Sequence, residues 1–406
     1  MAIEHSTTRS VQDRVAKRTA AYGESSIWKE LVDLLGRHPD PIYFGDGSPA
    51  REAMPLKEMA EGYALAVADG ASSLGYGESS GFEPLRELIA EHMRDRGIDV
   101  TADAIQVTNG SSQGLELVTR VMIDPGDVII VEHPTFLGAL EIFETYQARI
   151  IGVPVDEHGM DMDALEQVLI AEPRAKIIYT IPTFQNPSGT TLPLDRRQRM
   201  VELANTYGVL ILEDDPYWQL QYAGDVVPPL RALDEGVAHL GTFSKTIAPG
   251  IRTGWIVTPP KLRRLLLAAR EVMDLNNDRM TMRMVYHTSH NHENDYIERA
   301  RDIYRARRNA MLDALEQELG DIPGVEWSKP DGGFFVWVTL PERADGNAFM
   351  NEAAAAGVVF FPGSWFYVNQ DKTNVLRLSF STVPEDRIVE GIRRLGGAIR
   401  AHLEHL

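Results

Sequence analysis

A chain of 406 residues is long enough for two or three domains, or for one large and one small. Its 59 Asp and Glu outnumber 40 Lys and Arg, and a net charge of −19 has the wrong sign for nucleic-acid backbones and anionic membranes. It contains no cysteine, which excludes disulfides, thiolate nucleophiles and cysteine metal centres.

Residues 1–14 are polar and lack the apolar stretch of a secretory signal. No run approaches the roughly 18 apolar residues of a membrane helix, so the expected compartment is the cytoplasm. Leu85, Leu88, Ile89 and Met93 share one helical face, as do Leu115, Val118 and Met122. Residues 127–132 (DVIIVE) and 176–181 (KIIYTI) read as buried strands. A helical pattern on Met200, Ala204 and Tyr207 leads to strands at 208–213 (GVLILE) and 254–258 (GWIVT). Such alternation, from about residue 60 to about 290, predicts a mostly parallel sheet with helices on both faces. Ligands in such sheets bind beyond the carboxyl ends of the strands. A charged helix is expected at 294–320, then strands at 334–339, 358–361 and 375–380 and a closing helix, together a smaller α+β domain. The expected division is an N-terminal arm and substrate loop at 1–60, a large domain at 61–293 and a small domain at 294–406. His287, His290 and His292 cluster without metal-ligand spacing and read as an exposed helix or loop.

Five short stretches follow apparent strands or sit inside one. In 241–255 (GTFSKTIAPGIRTGW), Lys245 falls at the sheet's carboxyl edge among small and apolar neighbours. Burial there favours the neutral amine, which can form a Schiff base with an aldehyde. Arg252 and the Thr242 and Ser244 hydroxyls suit a phosphate. Taken singly, a lysine is ordinarily a solvated surface charge. In 107–114 (VTNGSSQG), small residues open a helix whose N-terminus favours an anion. The plainer reading is a serine cap by Ser111 or Ser112. The strand at 208–217 (GVLILEDDPY) ends in acids, and a carboxylate there can keep a pyridine nitrogen protonated. Alone it is an acidic turn. Residues 181–189 (IPTFQNPSG) carry strong turn chemistry, with Asn186 able to donate to a ring oxygen. In 374–381 (NVLRLSFS), alternation puts Val375, Arg377 and Ser379 on one strand face, and Arg377 can grip a carboxylate through two parallel bonds.

These pieces in this order resemble the class I/II aminotransferases of pyridoxal-phosphate (PLP) fold type I. The likeness is to the branch holding 2-aminoadipate aminotransferases and the aminotransferase-like domains of MocR-type regulators. It runs from about Ile42 to the C-terminus and takes in Tyr76-Gly, Glu132-His-Pro-Thr-Phe136, Gly332-Gly-Phe-Phe and Phe361-Pro-Gly363. The resemblance implies a large α/β domain with a mostly parallel sheet and a smaller α+β domain. It implies that Lys245 carries PLP as a Schiff base and moves the proton between substrate and cofactor. Asp214 would pair with the pyridine nitrogen, and Asn186 and Tyr217 would hold the ring's phenolic oxygen. Ser111, Ser112, Gln113, Thr242, Ser244 and Arg252 would form the phosphate cup, with Phe136 stacking on the ring. Tyr76 would reach the cofactor of a second subunit, implying a homodimer with shared active sites. Arg377 would bind the substrate α-carboxylate, with Gly47 beside the substrate.

The expected activity is ping-pong transfer of an amino group from an L-α-amino acid to a 2-oxo acid. The branch usually has tyrosine where Phe136 stands, which leaves β-elimination and oxygen-dependent oxidation as alternatives on the same fold. A ligand-sensing regulator fits least, because fewer than about 45 residues precede the resemblance and the chain is acidic. Residues 274–280 (DLNNDRM), Asp46 and Arg51 are also atypical. An acidic donor needs a second cation, for which Arg51 and Arg279 are the candidates.

Overall fold

The computed structural model describes residues 14–22 and 26–406. The reading of the extreme N-terminus falls almost wholly outside them. Among the described residues, no helix is long and apolar enough to cross a membrane.

Fourteen strands are described: β1 (Ile42–Tyr43), β2 (Ile105–Thr108), β3 (Val128–His133), β4 (Arg149–Asp156), β5 (Gly159–Met160), β6 (Ala175–Thr180), β7 (Leu210–Asp214), β8 (Ala238–Thr242), β9 (Gly254–Val257), β10 (Glu326–Trp327), β11 (Phe335–Thr339), β12 (Val358–Val359), β13 (Phe361–Pro362) and β14 (Val375–Ser379). The large sheet has the order β2-β9-β8-β7-β6-β3-β4-β5. β8, β7, β6, β3 and β4 run parallel, and β9 is antiparallel to both its neighbours. Strand alternation divides the core. Val128 and Ile130 pack on one face with Ile178, Ile211 and Met200, while Ile129 and Val131 pack on the other with Leu117, Phe143 and Leu240. Both faces are dry because helices cover both.

The smaller antiparallel sheet has the order β10-β11-β14-β13. β1 pairs with β12, and Phe44 N–H continues the pairing to the Val359 carbonyl. That ties the N-terminal arm to the small domain and carries Gly45–Ser48 toward the large one. The predicted charged helix at 294–320 is the second part of one 41-residue helix, Arg279–Leu319, capped by Asp278. The expected division at 293/294 therefore falls inside a continuous helix. Its first part, through Ile297, packs in the core around β2 and β9; from Ala300 onward it packs in the small-domain core. The three clustered histidines lie on this helix.

Candidate active site

The carboxyl ends of β3, β6, β7 and β8 converge on one cavity. Its position follows from parallel pairing, and its chemistry from which side chain each strand end turns inward. Tyr179 is registered with Leu212, so Asp214, two residues on, shares that face. Glu213 projects to the other side, where it accepts from the N–H groups of Leu230 (2.7 Å) and Arg231 (3.1 Å) and meets His239 Nδ1 at 2.7 Å. Glu213, Asp215 and His239 lie close together in the interior, and Asp215 is paired with Arg96 at 2.5 Å. Protein donors already satisfy much of that cluster.

The inner cavity, about 140 Å³, is lined by Ser111, Ser112, Phe136, Asn186, Asp214, Tyr217, Thr242, Ser244, Lys245 and Arg252, with Ile181, Pro216 and Pro249. Asp214 is 4% exposed. Its Oδ2 accepts from the Tyr179 hydroxyl at 3.0 Å, and its buried Oδ1 has no hydrogen-bond partner. Burial raises the Asp214 carboxyl to about 6. Lys245 Nζ donates to the Gly47 carbonyl at 2.9 Å. Burial first, then the Arg377 charge, lowers its amine to about 8. Burial also holds the Tyr217 phenol well above its ordinary value.

The helix Ser111–Met122 begins at this cavity. Its N-cap is Gly110 at φ 79°, and no side chain caps it. The serine-cap reading of Ser111 or Ser112 thus does not hold. A Cβ on Gly110 would come within 2.5 Å of Arg252 Nη2, so glycine is required both by conformation and by the close arginine. Thr242 Oγ1 and Ser244 Oγ are 2.9 Å apart beside this end.

An outer cavity of about 490 Å³ shares Phe136, Asn186, Tyr217 and Lys245 with the inner one and adds Gly47, Arg377 and a wall of rings: Tyr43, Phe335, Phe361 and Phe366. Arg377 Nη1 donates to Asn186 Oδ1 at 3.0 Å and Nη2 to the Gly45 carbonyl at 2.6 Å, while its buried Nε is unpartnered. The guanidinium lies 4.3, 4.7 and 4.8 Å from the ring centres of Phe335, Phe361 and Phe366. Burial lowers it to about 10, still a cation at neutral pH.

Some expected residues are elsewhere. Gln113 does not line either cavity. Its amide nitrogen donates to Asp274 at 2.7 Å, and its oxygen accepts from Asn109 N–H. Tyr76 is 88% exposed and lines a separate cleft with Arg279, whose Nη1 donates to the Tyr76 carbonyl. Arg51 lines neither cavity. Sequence reasoning missed Tyr43, Phe366 and Glu141 on the outer wall and Tyr179 behind the inner cavity, and it noted Asp46, Phe335 and Phe361 without assigning them to a cavity wall. It also missed the brace that sets the two loops. Buried Glu132 accepts from Thr180 Oγ1 (2.7 Å), Ile181 N–H (3.1 Å) and Gln185 Nε2 (3.0 Å), and Gln185 also donates to the Pro134 carbonyl. Asn186 and Phe136 are thereby fixed relative to each other. Glu132→Ala would leave the Ile181 N–H and the Gln185 amide without their shared buried acceptor. The expected result is a loss of about 1–3 kcal/mol, read by urea denaturation.

The family model described as Aminotransferase class I and II matches residues 42–395. Aromatic-amino-acid aminotransferase 1 of Thermococcus litoralis is 41% identical over 396 residues, spanning 94% of this chain and 93% of that protein. The 2-aminoadipate transaminase of Thermus thermophilus is 35% identical, spanning 94% and 95%. Among solved structures, the α-aminoadipate aminotransferase of Thermus thermophilus complexed with N-(5′-phosphopyridoxyl)-L-leucine matches with a TM-score of 0.88 at 34% identity. The match covers 98% of this chain and all of that one.

Proposed function

The chain belongs to the class I and II aminotransferases and uses PLP to move the amino group of an L-α-amino acid to a 2-oxo acid, and on that premise we propose that Lys245, Asp214, Asn186, Tyr217 and Arg377 divide the work on a preferentially aromatic donor. Bound PLP supplies an aldehyde that takes up amines and a protonated ring that delocalises the electron pair left at the substrate Cα. The cavity residues suit it. The orphaned Asp214 Oδ1 is a buried acceptor that lacks a donor, which a ring N–H satisfies. The open helix end at Ser111, with Ser112, Thr242, Ser244 and Arg252, holds the phosphate. Asn186 and Tyr217 hold the phenolic oxygen, and Phe136 covers a ring face.

Lys245 Nζ would hold PLP through its aldehyde and, once the substrate's own amine has displaced it, the freed Nζ would serve as the base that moves the substrate Cα proton. An amine with a pKa of about 8 suits a base working near neutrality. Arg377 turns its guanidinium to the α-carboxylate, and its aromatic bed keeps water from competing. Gly47 and its neighbours line the outer cavity beside the substrate.

The observation that carries the donor class is the outer wall. Tyr43, Phe136, Phe335, Phe361 and Phe366 surround the space beyond Lys245, with Asp46 and Glu141 on the same lining. Among the described lining residues the cations are Lys245 and Arg377, both engaged. Rings stack on rings, and two acids oppose a second carboxylate. The test is the visible spectrum of the yellow holoenzyme with single L-amino acids and no oxo acid. Phenylalanine or tyrosine is expected to bleach it fastest, with 2-oxoglutarate restoring the colour. Faster bleaching by glutamate or 2-aminoadipate would sink the aromatic assignment. Arg51→Ala and Arg279→Ala are expected to change aromatic and acidic donors alike, and a selective loss on acidic donors would reverse this reading.

The same proposal includes a homodimer in which Tyr76 reaches the second subunit's phosphate. Its exposure supports this, as do exposed Leu56, Val67, Leu74, Val272 and Leu275. The cytoplasm suits the acidic, cysteine-free chain.

A further inference from the structure

Asp214 has two oxygens, and the fold commits one of them before any ligand arrives. Oδ2 takes the Tyr179 hydroxyl at 3.0 Å, and Oδ1 is left bare. The pairing is a product of sheet register. Tyr179 on β6 lies opposite Leu212 on β7, which turns Tyr179 and Asp214 to one face. Tyr179 is fully buried, and its ring packs edge-on against Phe143 with centres 5.5 Å apart. The phenol stays protonated, because burial and the neighbouring acids Asp214 and Glu132 all oppose its ionisation. A neutral tyrosine has one proton to donate, and here it goes to Asp214.

We propose that Tyr179 is a positioning residue for the reaction: by holding Oδ2 it fixes the rotation of the Asp214 carboxylate, aims Oδ1 at the cofactor's ring nitrogen and keeps the shared proton on that nitrogen. The proposal rests on the reading of Asp214 as the ring-nitrogen partner. A hydrogen bond to a carboxylate stabilises its ionised form. Burial pushes Asp214 upward and the Tyr179 bond pulls it down; Asp215 adds to the first, and His239 and Lys245 to the second. Without the Tyr179 bond, the proton passes more readily from the ring to Asp214, and the ring loses its capacity to accept electrons.

Tyr179→Phe deletes the hydroxyl and keeps the ring in its packing. The experiment compares the dissociation constant of PLP with that of its 1-deaza analogue, in which C–H replaces the ring nitrogen. Both are measured on wild type, Tyr179→Phe and Asp214→Ala. The expected result is about a tenfold weaker grip on PLP by Tyr179→Phe, with the analogue changed less than about twofold. Equal weakening of both ligands would assign Tyr179 a purely structural role and overturn the proposal. If Asp214→Ala erases the preference for PLP over the analogue and Tyr179→Phe leaves it intact, the Tyr179 proposal alone falls. If Asp214→Ala leaves that preference intact, the Asp214 reading falls and takes this one with it. The absorbance of the bound cofactor at one fixed pH gives a second readout: the fraction protonated at the ring nitrogen is expected to be lower in Tyr179→Phe than in wild type.

Discussion

Lys245→Ala is expected to slow amino-group transfer by about 10³-fold or more while leaving a folded protein. Two effects combine in that figure. On the proposed reading the amine is both the covalent anchor for the aldehyde and the base that moves the proton. The cavity prepares it for both tasks by disfavouring its charge. With a pKa of about 8, half of the amines are neutral at pH 8. An unperturbed lysine would offer roughly one in three hundred. Covalent uptake of PLP by the cofactor-free protein is therefore expected to accelerate as pH rises toward 8 and then to level off. A rate still climbing steeply from pH 9 to 10 would show that the cavity does not tune the amine. In Lys245→Ala the covalent yellow band should be absent, although PLP would still find the proposed phosphate cup intact. A variant that forms the band, or turns over within tenfold of wild type, would assign the anchor to another residue.

The stretches that follow strands in sequence were legible because their chemistry is local. Lys245, Arg252, Asn186 and the acids at 213–215 sit in runs whose small residues, turns and apolar lead-ins mark a sheet edge by themselves. What could not be read depends on register or on distant partners. Tyr179 belongs to KIIYTI, which reads as an apolar strand, and its partner appears only once β6 is set against β7. Gln113 looks like part of an anion cup until Asp274, 161 residues away, takes its amide. β4 was missed because Gly152 and Pro154 interrupt its pattern and its exposure is irregular. The start of the helix at Arg279 was missed because its buried face mixes Met282, Met284 and Val285 with Arg283, Thr288 and Ser289, so no clean apolar stripe marks it. A 41-residue helix that passes from one hydrophobic core to another leaves no composition break at either domain's edge.

If Asp214 is the ring-nitrogen partner proposed here, Asp214→Asn is expected to lower kcat/KM by about 10²–10³-fold, because a neutral amide cannot hold that nitrogen's charge in a buried cavity. The same exchange should alter stability in the opposite sense, and the sign follows from linkage. Burial raises the carboxyl from 3.8 to about 6. Between those values the folded protein holds the proton more tightly than the unfolded chain does. The cofactor-free wild type therefore loses stability as pH rises from about 4 to 6, and the deficit remains above 6. Two pKa units correspond to about 3 kcal/mol. Asparagine does not titrate, so the variant lacks this loss. Relative to wild type, cofactor-free Asp214→Asn should gain about 2.5 kcal/mol on going from pH 4 to pH 8, whatever constant offset the amide introduces. Thermal melts of both proteins at the two pH values would show it. A parallel pH dependence in the two would mean that Asp214 is already ionised and satisfied without a ligand. The expected divergence would mean that the fold tolerates an under-bonded carboxylate at neutral pH because a bound ring N–H completes it.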